Sequence, residues 1–319
     1  RGLVGSEMCI RDRLAAATSG LQSAPATLRP LQREPLPELN LSDLLGQIKD
    51  PCKGFFNRRL KTWLRPLQAL QLDEEPFELD GLEAYLLKQR YLQALLAGSD
   101  PDQLDQQLLA EGGLPVSSHG LNLLRKYRKD MTELVQKLEP HRQGEVIRQT
   151  VDIQLHETRL TGVLDQIYAG QMLRFRPANT NGNDQLATWI EHLVLQLSGG
   201  GRSFFRGLDR WVSFAPVAKQ DAQVYLQQWC DFYQRSLCSP LAFNGKAAVN
   251  YYEALKKGED AARESVIQLY EGSPKTYGLC SDAYLARIYP DAEVFWQALQ
   301  PDLPLLEPMF SYMEEGKDE

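Results

Sequence analysis

The chain has 319 residues, 43% of them hydrophobic, enough material for a real core in one large or two modest domains. Its 35 Lys+Arg against 42 Asp+Glu leave a net charge of −7, which excludes a generally basic nucleic-acid binder and confines any DNA contact to local basic patches or partner subunits. No apolar run of about 18 residues is present to span a membrane, and five cysteines without a Cys-x-x-Cys pair, beside four scattered histidines, argue against a disulfide scaffold or zinc site and fit reduced cytoplasmic thiols.

Gly2–Arg13, GLVGSEMCIRDR, is neither a signal peptide nor a periodic helix. It is similar to the translated reading frame of a transposase-based sequencing-library adapter, so residues 1–13 are set aside and the natural chain is expected to continue upstream. Leu14–Leu39 is rich in Ala, Pro, Ser and Thr and is broken by Pro25, Pro30, Pro35 and Pro37, which predicts a linker or loop reaching residue 40. Ser42 is expected to cap a helix carrying Leu44, Leu45 and Ile48, and Pro51 to open a second with Phe55, Phe56 and Leu60 inward.

Lys53, Arg58, Arg59, Lys61 and Arg65 make the densest basic patch. Basic and aromatic residues interleaved suit a phosphate backbone and stacked bases, and a solvated helix face over a Phe core accounts for them equally well. The acidic run Asp73–Asp80 has no ligand geometry of its own and reads as a solvated turn before a helix N-terminus. Gly81–Leu96 is an amphipathic helix with Leu82, Tyr85, Leu86, Leu92 and Leu96 on its apolar face, followed by helices Asp102–Ala110 and Gly120–Leu138.

Gly144–Leu155 begins the sheet. Two further strands, Leu160–Tyr168 and Met172–Arg176, are joined by a turn at Ala169–Gly170. The first carries a lone carboxylate, Asp165, in an apolar run; the second carries Arg174 and Arg176. Asp152 could approach Asp165 only if the strand register brings both to one face. Gln185–Leu197 is a crossover helix, with His192 expected as a packed side chain, and strands Arg202–Arg206 and Arg210–Phe214 follow. The Gly199–Gly201 triplet follows a helix and lacks Gly-Lys-Ser/Thr, so it is no phosphate loop, and no ATP site is present. Helices Asp221–Leu237, Lys246–Leu255 and Asp260–Tyr270 lead to a charged tail, residues 314–319, and the whole reads as an α/β fold with many helices.

An ordered succession of motifs, DPCKGFFNRRL, DEEPFELDGLEAYLLKQRYLQALL, EGGLP, WIEHL–SGGGRSFF and the closing PLLEPMF, resembles the C-terminal domain of the RecC family, the gamma subunit of the RecBCD enzyme (exodeoxyribonuclease V), from about Leu41 to Phe310. The hairpin resembles the core of RecB-type nucleases of the restriction-endonuclease-like, PD-(D/E)xK type, in which a Gly-x-x-Asp strand precedes Asp-Tyr-Lys. Asp165 matches the first acid, Arg174 stands where the second belongs, and Arg176 takes the lysine position.

Arginine has five donors and no acceptor, so the resemblance implies such a core with its catalytic residues lost, spanning 41–313, with no metal and no cofactor in this chain. It also implies a scaffold that guides or splits DNA strands at a duplex end or fork during double-strand break repair by homologous recombination. The partners implied are RecB-type and RecD-type subunits in a heterotrimer. Arg174 could meet phosphate or pair internally with Asp165. The alternatives are an active Mg²⁺-dependent nuclease using Asp165, an acid from the helical region and Arg176, or an interaction fragment without activity.

Overall fold

The structure, a computed structural model, describes residues 29–64, 81–111, 118–273 and 276–316. Arg65, the acidic run Asp73–Asp80 and the residues Gly112–Pro115 of the EGGLP turn lie outside the described residues.

The sheet begins earlier than its sequence suggests. Strand β1, Glu38–Asn40, lies at the end of the proline-rich stretch and pairs in parallel with residues 159–161. The burial of Leu39 at 3% exposure holds it there. Asn40, not Ser42, caps helix α1 (Leu41–Lys49), its Oδ1 accepting from the Ser42 amide at 2.9 Å. Asp50 caps the next turn, α2 (Pro51–Gly54), with Pro51 in the first helical position. A five-residue π-helical turn, Phe55–Arg59, then buries Phe55 and Phe56. The wider turn shifts the helical phase, and Leu60 is turned out to 42% exposure where the sequence pattern expected it inward.

Helices α3 (Gly81–Leu96), α4 (Pro101–Ala110) and α5 (Ser118–Leu138) form a small layer with its own core. In α5, Leu124, Met131 and Leu138 recur every seven residues and are all buried. In α3 Tyr91 and Leu92 are buried, with Leu87, Leu95 and Leu96 packed partly against the same core, so Leu92 and Leu96 of the expected face lie inward while Leu82 and Leu86 are exposed. The Tyr91 hydroxyl donates to Asp105 of α4 at 2.8 Å, tying the two helices together.

Strands β2 (Val146–Leu155) and β3 (Thr158–Tyr168) form a long antiparallel hairpin, and β4 (Gln171–Phe175) follows through Ala169 and Gly170, both at positive φ. Helix α6 (Gly182–Ser198) crosses back to β5 (Ser203–Arg206), which runs parallel to β4, and β6 (Trp211–Phe214) pairs antiparallel with β5. Helices α7 (Lys219–Cys238), α8 (Gly245–Leu255), α9 (Glu259–Glu271), α10 (Ala283–Ile288), α11 (Ala292–Leu299) and α12 (Glu307–Tyr312) follow. A small hairpin, β7 (Gly272–Ser273) with β8 (Thr276–Tyr277), sits between α9 and α10. The expected charged tail starts as strand β9, Met313–Gly316, antiparallel to β6. Ion pairs Arg202–Glu314 at 3.0 Å and Arg210–Glu315 at 2.9 Å draw those acids onto the sheet. The result is a mixed sheet covered on both faces: Met172 enters the larger core, and its neighbour Leu173 enters the core of the α3–α5 layer.

Helix α6 runs through the interior, with Trp189, Ile190, Leu193 and Val194 fully buried. At its end Gly201 comes so close to the β3–β4 turn that a Cβ there would lie 2.0 Å from the Gly170 carbonyl oxygen. His192 is a packed side chain at 0% exposure. Its Nε2 lies 3.0 Å from the Ala215 carbonyl, which can only accept, so Nε2 carries the proton and Nδ1 accepts from the Ser203 hydroxyl at 2.8 Å. Gln196, one turn on, donates to the Gly201 carbonyl and accepts from the Val217 amide. These bonds fasten α6 to β5 and to the segment after β6.

Two outcomes follow from this packing. At Gly182 an added Cβ would meet the Gly245 carbonyl oxygen at 2.5 Å and Val249 Cβ at 2.8 Å. Gly182→Ala is therefore expected to lower stability by about 2 kcal/mol in urea titration, and an unshifted midpoint would show that the two helix starts are not in contact. Burial pulls the His192 imidazole down from 6.5 to about 4, against a smaller opposing effect of its bond to Ala215. The folded state thus resists protonation, and the stability held by neutral His192 is complete above pH 6.5 and is lost as pH falls toward 4. That loss amounts to about 3 kcal/mol. It should be missing from His192→Gln when unfolding free energies are compared at pH 7 and pH 4.5, and parallel profiles for the two proteins would refute it.

Candidate functional site

Strand β3 has one neighbour, β2, along its whole length on one edge and two on the other. β1 takes the start of that second edge, and β4 takes only Ile167 and Tyr168 at its end. Between them β3 carries an extra residue: Asp165 and Gln166 face the single residue Arg148 of β2, and Gln166 adopts a φ of 53°. Buried positions accordingly step from Leu160 and Leu164 to Ile167, breaking the period of two. Bulges of this kind re-aim side chains and interrupt pairing. Here the bulge leaves the Asp165 carbonyl facing an open gap between β3 and β4.

Arg174 fills that gap. Its Nη1 donates to the Asp165 carbonyl at 2.8 Å and lies 3.2 Å from the Asp165 carboxylate. The other side of the fork, Nε and Nη2, donates to the two oxygens of Glu191 on α6 at 2.7 and 2.9 Å. The side chains of Arg174 and Glu191 are 16% and 15% exposed, whereas that of Asp165 is 54% exposed. Burial works against the guanidinium charge, but the hydrogen bonds and charge of Glu191, and then the charge of Asp165, outweigh it and hold Arg174 above its ordinary pKa. Of the two alternatives for Arg174, the internal pairing with Asp165 is present, and Glu191 makes the closer, two-point contact. Glu191 belongs to the WIEHL motif but gave no sign of its role, because nothing in a linear sequence aligns a helix residue with a particular strand residue.

Arg176, just past β4, pairs with Asp184 on α6 and places its guanidinium carbon 5.5 Å from the centre of the Tyr85 ring. Asp184 and Glu191 are seven residues apart, two turns of helix, and so share the face of α6 that looks at β4. Arg174 and Arg176 therefore do not converge on one ligand; each is matched to its own acid. Asp152 does not reach Asp165: its strand partner is Thr161, and its carboxylate is held by Arg159 at 2.6 and 2.7 Å. Among the described residues no group of three or more His, Cys, Asp or Glu side chains is placed to hold a metal ion.

Two of the four described residues of the basic patch are paired with acids within the chain. Arg58 pairs with Asp43 at 2.8 Å, and Arg59 pairs with Glu34 and donates to the Gln32 carbonyl at 3.0 Å. Lys53 lies 6.0 Å from the Tyr284 ring centre, and both it and Lys61 are exposed. Beside them is Trp63, 66% exposed, an aromatic surface that the sequence pattern did not single out.

Replacing Arg174 with methionine would leave Glu191 buried without its partner, at an expected cost of about 3 kcal/mol in unfolding free energy. The double substitution Arg174→Met with Glu191→Met should recover most of that loss. A single variant as stable as the parent chain would rule out the buried pair.

The family model described as the RecC C-terminal domain matches residues 36–256. A protein named "RecBCD enzyme subunit RecC" from Escherichia coli (strain K12) is 29% identical over 308 residues, covering 92% of this chain and 26% of the relative. Proteins with the same name from Buchnera aphidicola subsp. Schizaphis graminum and from Mycobacterium tuberculosis are 24% and 26% identical, over 81% and 60% of this chain. The chain spans about a quarter of the length of the first two relatives. With the family model covering well over half of its residues, the chain belongs to the RecC C-terminal domain family.

Proposed function

We propose that the chain is the non-catalytic C-terminal domain of a RecC-type subunit, with a restriction-endonuclease-like core whose cation site has been closed by Arg174. The observation that carries this reading is the guanidinium seated between Asp165 and Glu191, bonded to both oxygens of the buried acid. A divalent cation does not fit these residues. Mg²⁺ requires several oxygen ligands at about 2.1 Å, whereas here both Glu191 oxygens are occupied by N–H donors and a fixed positive charge stands where the ion would enter. Two-metal hydrolysis has no foothold without those oxygens.

In this reading the domain serves as a scaffold in a RecBCD-type helicase–nuclease. Its partners are RecB-type and RecD-type subunits, and it guides or splits the strands of DNA presenting a duplex end or fork. Exposed Lys53 and Lys61 beside Trp63 supply the charge and stacking surface such a role needs, and Arg58 and Arg59 hold that segment in place through their internal pairs. Cleavage chemistry and ATP use reside in the partners.

The purified chain with Mg²⁺ and linear duplex DNA should show no cleavage, while a tagged copy should retain a co-expressed RecB-type subunit and shift forked DNA. Metal-dependent cutting abolished by Asp165→Ala would overturn the inert reading. Failure both to retain the partner and to shift the fork would overturn the scaffolding one.

A further inference from the structure

Helices α8, α9, α11 and α12 border an open surface cleft of about 430 Å³. Its walls are aromatic. Tyr251 and Trp296 have ring centres 5.5 Å apart at an interplanar angle of 36°, and Tyr252 stands edge-on to Tyr251 at 5.4 Å. The Tyr252 hydroxyl donates to the Leu303 carbonyl at 3.0 Å, which fixes that ring as a wall. The rim is acidic, with Glu259 and Asp260 in the first turn of α9 and Glu307 in the first turn of α12.

Acids in the first turn of a helix suit its dipole, and that ordinary role has to be weighed first. Against three carboxylates, the start of α9 supplies about half a positive charge, whereas α12 continues a preceding 3-10 turn in which the Glu307 amide already donates to the Pro304 carbonyl. The lining guanidinium, Arg263, is already paired with Glu293. More than two of the three lining negative charges therefore remain uncompensated around the aromatic walls. None of the three acids has an ion-pair partner among the described residues. Their fields fall on the walls themselves: burial, and then Glu259, raises the Tyr251 hydroxyl pKa, while burial and Glu307 do the same at Tyr252.

We propose that this cleft receives an arginine side chain from an extended segment of a partner protein. Aromatic faces attract a guanidinium most strongly where it is partly desolvated. Carboxylates on the rim can meet its donors at the edge, as arginine–carboxylate geometry favours. The same rim repels phosphate, so this face is not a path for nucleic acid. The volume lies within the range of small-ligand clefts and accommodates one long side chain with its flanking backbone at the mouth. The proposal is independent of whether the Arg174 site is inert.

The test uses the full chain titrated with an acetylated Gly-Arg-Gly-Arg-Gly-Arg-Gly peptide, following the Trp296 indole N–H by NMR, assigned with Trp296→Phe, and affinity by calorimetry. Saturable binding that shifts Trp296 is expected. Its dissociation constant should rise at least tenfold in Glu259→Gln with Glu307→Gln, and stay unchanged in Glu133→Gln, an exposed acid elsewhere. Rim substitutions on the surface spare the core, and circular dichroism confirms the fold. Equal affinity in the double variant, equal binding of the glutamate-for-arginine peptide, or a Trp296 shift produced by single-stranded oligonucleotide in place of the peptide would each overturn the proposal.

Discussion

Two arginines two residues apart on the β4 side face two acids seven residues apart on α6, and this matched pair of ladders fixes where the central helix lies on the sheet. Apolar burial drives α6 inward, and the close approach of Gly182 to Gly245 already limits its register. Charge pairing is less forgiving. A slip would leave Glu191 buried beside no donor, a penalty of several kcal/mol. The cost of desolvating Arg174 and Glu191 is offset by a two-point fork of hydrogen bonds, and what the arrangement gains is position more than stability. The register of α6 then sets His192 against Ser203 and Ala215, and Gln196 against Gly201 and Val217.

The same constraint shapes the chemistry of the gap between β3 and β4. A strand that parts from its neighbour exposes carbonyls that must find donors. The bulge at Asp165–Gln166 creates that need, and the guanidinium meets it from the side of β4. Glu191 and Asp165 therefore serve as counter-charges to a fixed cation, and the gap is structurally complete with the side chains it has.

Much of the element order was legible because local signals agree with tertiary ones. Alternation in β3, the turn at Ala169–Gly170 and the apolar residues of α6 each reflect local signals that tertiary packing reinforces. The misreadings have local causes. A π-helical turn rotates Leu60 outward, the first turns of α3 leave Leu82 and Leu86 exposed, and an asparagine one residue ahead of Leu41 takes the capping role expected of Ser42. Strands β1 and β9 have the composition of a linker and a tail, because only partners far along the chain make them strands. In the candidate site, Asp165, Arg174 and Arg176 were visible as residue types in a hairpin. Glu191 and Asp184 were not, since helix-to-strand pairing leaves no mark in spacing along one segment.

Those two remote strands carry a kinetic consequence. Contacts of β1 with β3 join residues 123 apart in sequence, and those bridging the last strand to the β5 start join residues 112 apart. Such closures come late, after the hairpin and the crossover unit have formed, because long loops must be drawn shut before the contact repays them. Until then β6 presents unpaired amide and carbonyl groups to any neighbouring chain. The acids at 314 and 315, by repelling another copy of themselves while seeking Arg202 and Arg210, favour closure within the molecule over association between molecules.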